Sequence, residues 1–351
     1  MKQPRKLAKW FVLLALLHGI IVAAGFFAPY DPVEQDRERP YLPPMRIHLM
    51  DVHGHLHLRP FFYPLKLREG SFDQYEENTA SAVPLLLFSS GASYRLLGFL
   101  PARLHLFGAN GARIYLLGSD AYGRDQLSRI LYGGQVSLLA GLLGAGVTLL
   151  LGALIGMAAG FYGGWRDELL MRIAELFLAL PWLYLLFALR AFLPLAVSPL
   201  DSFLLVVVVI GMVGWARPAR LVRGVVLSVK ERDFVRAARG FGASDLYLLR
   251  RHILPETAGV ILTQATILVP QFVLAEMTLS FLGLGVPEPL SSWGNLLASL
   301  QQYNVLVSYW WMYLPALAIV PFFLGYLRLA SALQQSTVAY KIDEKDLWNP
   351  S

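Results

Sequence analysis

The sequence predicts an all-α polytopic membrane protein, with six transmembrane helices, a cytoplasmic loop between the fourth and fifth, and a small β-rich extracytoplasmic insertion after the first. Three observations carry that expectation. Hydrophobic residues fill 56% of the 351 positions and charged residues only 15%, where an ordinary soluble domain carries roughly 25% charge. Apolar runs of spanning length recur and mean hydropathy is +0.51, more apolar surface than one water-soluble core needs to bury. Lys and Arg collect beside some of these runs and avoid others, as happens when loops alternate between the two sides of a bilayer.

Composition also removes several classes of function. The net charge of +6 comes from 30 basic residues, 23 of them Arg, spread along the chain. They form no compact basic patch with interleaved aromatics of the kind that binds nucleic acid. The chain has no Cys, which excludes disulfides, thiolate zinc sites, iron–sulfur clusters and a Cys nucleophile together.

At the N-terminus, Lys2, Arg5, Lys6 and Lys9 precede Trp10 to Tyr30, 21 residues without Asp, Glu, Lys or Arg. Its length favours a retained helix over a cleaved signal peptide. Residues 1–30 are therefore read as a cytoplasmic end and first span, 31–123 as the insertion, 124–333 as a core of five further spans, and 334–351 as a cytoplasmic tail. Within the insertion, Leu104 to Leu106 and Ile114 to Leu116 flank Asn110-Gly111, a dipeptide suited to a hairpin turn. A second hairpin is expected from Arg46 to Met50 and His55 to Leu58 around Asp51 to Gly54. Arg124-Asp125 with Leu127, Ile130 and Leu131 reads as a short amphipathic helix on the outer membrane surface.

The core spans are expected near 137–161, 169–193, 199–217, 259–284 and 310–333. Gly152, Gly156 and Gly160 repeat a small residue every fourth position, which lets a second helix approach closely. Arg172, Glu175 and Arg190 interrupt the third span. Val206 to Val209 favour a strand by propensity, yet in lipid the backbone must be satisfied within its own segment, so a helix is expected. Pro194 and Pro218 bracket it as breakers. Arg328 lies near the inner end of the last span, and Trp310, Trp311 and Tyr313 where an outer aromatic belt belongs. The segment between the fourth and fifth spans holds nine basic residues, Arg217 to Arg251, against four acids, Glu231, Asp233, Asp245 and Glu256, while 194–200 and 285–309 hold no basic residue. Both termini are accordingly predicted to be cytoplasmic.

The stretch Asp233 to Glu256 reads as two short amphipathic helices joined at Gly242. Phe234, Ala237, Ala238 and Phe241 recur at helical spacing, Ser244 suits an N-cap, Leu246, Leu249 and Ile253 follow, and Pro255 ends the pair. Periodicity alone fits a solvated charged loop equally well. The order Arg236-Ala237-Ala238, Gly242, His252, Leu254-Pro255 resembles the EAA loop of ABC-importer permeases, and its His resembles the dipeptide, oligopeptide and nickel branch. The resemblance extends over Gly118 to Gly133, Gly160 to Trp165, Gly214 to Arg223, and Leu274 to Gly285 with Ser292-Trp293-Gly294, covering about 118–333.

The resemblance implies the second permease type of a binding-protein-dependent transport system in the cell inner membrane. It would carry di- or oligopeptides by alternating access, with nickel or another solute open. It implies a second homologous permease chain, two cytoplasmic ATPase subunits and an extracytoplasmic solute-binding protein. Arg236, Ala237, Ala238, Phe241, Gly242, Leu246, Leu254 and Pro255 would then couple to the ATPase. Physically, Gly242 permits the bend, Ala237 and Ala238 a close approach, and Phe241 or Leu246 an apolar plug. Arg236 departs from the family's usual Glu. It answers either an altered charge on the ATPase or acids within the loop, such as Asp233.

No Lys follows a Gly, so the chain has no P-loop of its own. No cofactor is expected on it, ATP and Mg belong to the partner ATPase, and it is not expected to be an enzyme. Membrane-enzyme arrangements such as Ser/His/Asp or His-Glu-x-x-His are absent. Glu276 interrupts a run otherwise uncharged from Thr257 to Pro287 and must face protein or water; it is either a pathway residue or a structural hydrogen bond. Glu175 is the other pathway candidate, with Arg172 three residues earlier as a ready helix partner. An ion-coupled secondary transporter using Glu276 is the alternative, and it needs inverted repeats that the sequence does not show. His48, His53, His55 and His57 lack acidic or Cys partners at ligand spacing, so no metal site is read from them.

Overall fold

A computed structural model describes residues 3–68, 70, 71, 74–194 and 197–347. In chain order the elements are α1 (Gln3–Val22), α2 (Ala24–Phe27), β1 (His48–Met50), β2 (Leu56–Phe62), β3 (Leu65–Leu67), β4 (Tyr75–Glu77), β5 (Val83–Leu96), β6 (Leu100–Ala109) and α3 (Gln126–Tyr162). They continue with α4 (Gly164–Ala179), α5 (Trp182–Phe192), α6 (Pro199–Gly214), α7 (Ala216–Val229), α8 (Asp233–Gly240), α9 (Asp245–Leu248), α10 (Leu254–Phe281), α11 (Trp293–Ala298), α12 (Tyr303–Ser308) and α13 (Leu314–Leu347). The chain divides into two units. One is built on Leu13–Ser137 and Ser280–Phe322, the other on Leu138–Leu279 with the N-terminal part of the first helix, up to Val12, and the last helix from Phe323 on.

In the first unit, β1, β2, β5 and β6 form an antiparallel sheet in that order, and β3 pairs with β4. The turn Asp51 to Gly54 joins β1 to β2 as the sequence suggests. The hairpin expected around Asn110-Gly111 does not form. β6 pairs instead with the long β5 before it, and Ile114 and Tyr115 are buried in the core with Leu42, Phe62, Val83 and Phe107. Their apolar side chains serve packing, not a strand. The expected surface helix at 124–131 is also corrected: α3 starts at Gln126, and Arg124, Asp125, Ile130 and Leu131 are all buried.

In the second unit, α3 lies against α7 along its glycines. A Cβ on Gly156 would stand 2.4 Å from the Ala219 carbonyl oxygen, and one on Gly152 or Gly160 would stand 2.6 Å or 2.8 Å from Pro218 or Val226. Two of the expected single spans are broken. α4 and α5 meet at a 94° bend and α6 and α7 at a 44° bend. At the first, Pro181 lacks the N–H a helix needs and holds Leu180 extended (ψ 139°). Pro218, expected as a breaker, sits inside the first turn of α7, where a missing N–H costs little. Pro255 likewise does not end a helix. It falls in the first turn of α10, and α9 runs through a π-helical turn (Leu249–Ile253) straight into it.

Among the described residues, three helices are long and apolar enough to cross a bilayer, or five if each bent pair counts as one span. The apolar part of α1, Leu7–Val22, is shorter. Residues 334–347, expected as a tail, continue α13, and 348–351 lie outside the described residues.

Candidate functional site

The 233–256 segment is fastened by one face and bare on the other. Val235 of α8, Leu248 of α9 and Ile253 of the π-helical turn are buried in a cluster with Phe161 of α3 and Val222, Val226 and Val229 of α7, and Ala238 packs against it. Gly242 takes φ +84°, a left-handed conformation that turns the chain between α8 and α9. Ser244 caps α9, its hydroxyl accepting from the Tyr247 N–H at 3.4 Å. The opposite face is apolar yet open: Phe241 is 93% exposed and Leu246 63%, with Ala237, Leu254 and Pro255 also exposed. The sequence periodicity grouped Phe234, Ala237, Ala238 and Phe241, but the residue of α8 buried in the cluster is Val235, which that reading did not single out.

Arg236 pairs with Glu231, Nη2 to Oε2 at 2.8 Å, both side chains exposed. This hydrogen bond holds the Glu231 carboxyl below its ordinary range and the Arg236 guanidinium above its own. The acid that answers Arg236 is thus Glu231, not Asp233. His252 lies between the rings of Phe234 and Tyr247 at 5.7 Å from each.

Behind this segment the helices are tied to one another. Lys230 donates to the Gly160 carbonyl at 2.9 Å. Arg223 of α7 grips Asp167 of α4 in a bidentate pair at 2.5 and 2.6 Å. A chain of contacts therefore runs from α8 through α7 to α4, the helix that ends at the Pro181 bend. A cleft of about 240 Å³ opens at the two bends, lined mostly by apolar side chains with Arg217 and Gln271 among them. Glu276 of α10 is fully buried in the protein. Glu175 faces outward and pairs with Arg172 at 3.2 Å, so the two acids singled out in the spans are not brought together.

In the other unit, an ion cluster built on the buried Asp120, Arg124 and Arg129 and the exposed Glu288 escaped the sequence reading. Asp120 accepts from Arg124 Nε at 2.7 Å and from Arg129, and both arginines reach Glu288, at 2.7 and 2.6 Å. Arg129 also donates to Ser291 at 3.2 Å, and Trp293 donates from its indole to the Ile130 carbonyl at 3.0 Å. The Gly118 to Gly133 and Ser292-Trp293-Gly294 motifs are thus two halves of one structural joint. Their pattern of alternating charges was the available signal, but complementary charges 160 residues apart carry no periodicity. Three of the four histidines do have acidic partners, contrary to expectation. His48 contacts Glu77, and His55 and His57 share the carboxylate of Asp51. The His55 backbone N–H and the His57 ring hold that carboxylate well below its usual range.

These features describe a mostly helical, multi-pass membrane protein. The chain belongs to the family described as binding-protein-dependent transport system inner membrane component, whose model matches residues 152–338, more than half its length. It is 36% identical over 203 residues to the dipeptide transport system permease protein DppC of Bacillus subtilis (strain 168), covering 58% of this chain and 61% of that one. It is 41% identical over 205 residues to a putative peptide transport system permease protein of Brucella suis biovar 1 (strain 1330), covering 58% and 67%. The chain thus spans about three fifths to two thirds of these relatives' lengths. Among solved structures it resembles the MetNI methionine ABC transporter in inward-facing form, with TM-score 0.44 and 15% identity, covering 58% of this chain and 96% of that one.

Proposed function

We propose that the chain is a permease subunit of an ATP-driven importer, moving di- or oligopeptides by alternating access. In this reading α1 is the first of six spans, both termini are cytoplasmic, and 31–123 faces outward. A separate ATPase closes against Phe241 and Leu246, and the push passes through Val235, Leu248 and Ile253 to α7, then across the Arg223–Asp167 pair to α4 and its bend. The partners are a second homologous permease chain, two ATPase subunits and an extracytoplasmic binding protein. ATP and Mg stay on the ATPase. Glu276 is the pathway candidate and Glu175, paired at the surface, a structural one.

The observation that carries the reading is the coupling segment itself: two large apolar side chains left bare on a stretch whose other face is locked into the core. Exposed anchors of this kind are what a partner's pocket selects. The test is uptake into vesicles by the chain with its second permease, ATPases and binding protein. Uptake is expected to require ATP and to be lost in Phe241→Asp and Leu246→Asp, while those variants still fold, because neither side chain is packed. Ion-driven uptake by the chain alone overturns the reading in favour of a Glu276-based carrier.

A further inference from the structure

We propose that the β5–β6 hairpin is a membrane anchor whose tip, Leu96 to Leu100, enters the outer leaflet beside α1. The proposal rests on α1 being a membrane span. The hairpin lies outside the 152–338 family match, and its placement follows from contacts within one unit. His105 of β6 sits between two carbonyls, Nδ1 at 2.6 Å from that of Ala28 and Nε2 at 2.9 Å from that of Ala92. Farther along, the Tyr94 ring lies against Gly25, where a Cβ would come within 2.2 Å of it. Passing from the His105 level to the Tyr94 level thus moves from Ala28 back to Gly25, toward the body of α1. The tip continues that direction for three more residues, about 10 Å of strand, toward a stretch of α1 whose Leu16, Ile20 and Val22 are themselves exposed.

The turn has the wrong chemistry for water. Leu97 and Gly98 both take positive φ, +55° and +81°, and the Phe99 N–H donates to the Leu96 carbonyl at 3.3 Å. This is a two-residue turn of the kind that selects Asn-Gly or Asp-Gly. Leu97 occupies its first position despite the steric cost a branched side chain meets there. Leu97 is 55% exposed and Phe99 68%, and Leu100 joins them. Arg95 and Arg103, both exposed, stand just behind the tip, placed to reach lipid phosphates while the apolar end goes deeper. An apolar tip with a collar of arginines and a tyrosine fits a lipid surface.

The native chain has no Cys, so single cysteines report one site each. The full chain carrying Phe99→Cys, Leu16→Cys or His53→Cys is labelled with a polarity-sensitive fluorophore in bilayer discs containing brominated acyl chains. Phe99→Cys and Leu16→Cys are expected to be quenched several-fold more by the brominated lipid than His53→Cys. Leu97→Asn, which suits the turn and preserves the fold, is expected to abolish the Phe99→Cys quenching. Quenching at Leu16 with none at Phe99 overturns the hairpin proposal alone, whether the label is in water or covered by protein. An aqueous signal at both overturns the reading of α1 as well.

Discussion

Gly156 shows how a single residue sets the packing of this protein. Its missing Cβ lets α3 and α7 approach until that atom would lie 2.4 Å from a backbone oxygen, which cannot rotate away as a side chain could. Gly156→Ala is expected to destabilise the purified chain by about 1–3 kcal/mol, the usual cost of overpacking. Gly146→Ala, in the same helix with nothing within 4 Å, is expected to be neutral or slightly stabilising through better helix propensity. Thermal unfolding in one detergent compares the two, and equal effects would show that the seam is not tightly packed. The four-residue repeat announced this seam in the sequence because it is local. The buried charges were harder to read: Arg124 and Arg129 gave no hint of Glu288, since partners that meet only in the fold share no spacing.

At the scale of elements, α3 begins on a buried carboxylate. Asp125 accepts from the Ser128 N–H at 2.8 Å and its hydroxyl at 2.6 Å, while its other oxygen has no partner among the described residues. Burial, opposed by the Ser128 hydrogen bonds and Arg113 and aided by Asp120, pushes its pKa up to about 6. The unfolded chain ionises this group near the ordinary value of about 3.9. Below that pH both states hold the proton; from about 4 to about 6 the folded state holds more, so its contribution falls as pH rises through this window and levels off above it. Asp125→Asn keeps an acceptor for the cap and is expected to flatten that part of the profile, measured as thermal midpoints between about pH 4 and pH 7. An unchanged slope would place the titration elsewhere. The apolar middles of α3 and α13 were readable as runs of spanning length, although α3 starts earlier and α13 runs on later than expected. Proline was a mixed guide: α5 ends just before Pro194 as expected, with Leu193 extended, whereas Pro218 and Pro255 lie in first turns of helices and Pro181, unmarked in the sequence reading, breaks one. The turn at Asp51 to Gly54 was found from local residues, whereas the partner of β6 depended on a strand upstream whose Leu87-Phe88-Ser89 run has no clean alternation.

For the molecule as a whole, the charge pattern makes a statement that packing does not: which loops share a side of the membrane. Nine basic residues between Arg217 and Arg251 oppose none at 285–309, and such asymmetry near span ends sets orientation during insertion. The 31–123 segment is long enough to be translocated regardless of its own arginines. Leu246 and His53 are therefore assigned to opposite faces, and both are exposed, so a cysteine at either is open to reagent. In sealed cells with an intact inner membrane, a membrane-impermeant maleimide is expected to label His53→Cys and to spare Leu246→Cys, with the order reversed in inside-out vesicles. Five spans in place of six would put the two on the same side, because removing α1 as a span leaves residues 31–123 cytoplasmic without moving the 217–251 loop. Equal labelling of both cysteines from the cytoplasmic side would therefore count α1 out of the membrane, and the outward placement of the insertion would fall with it.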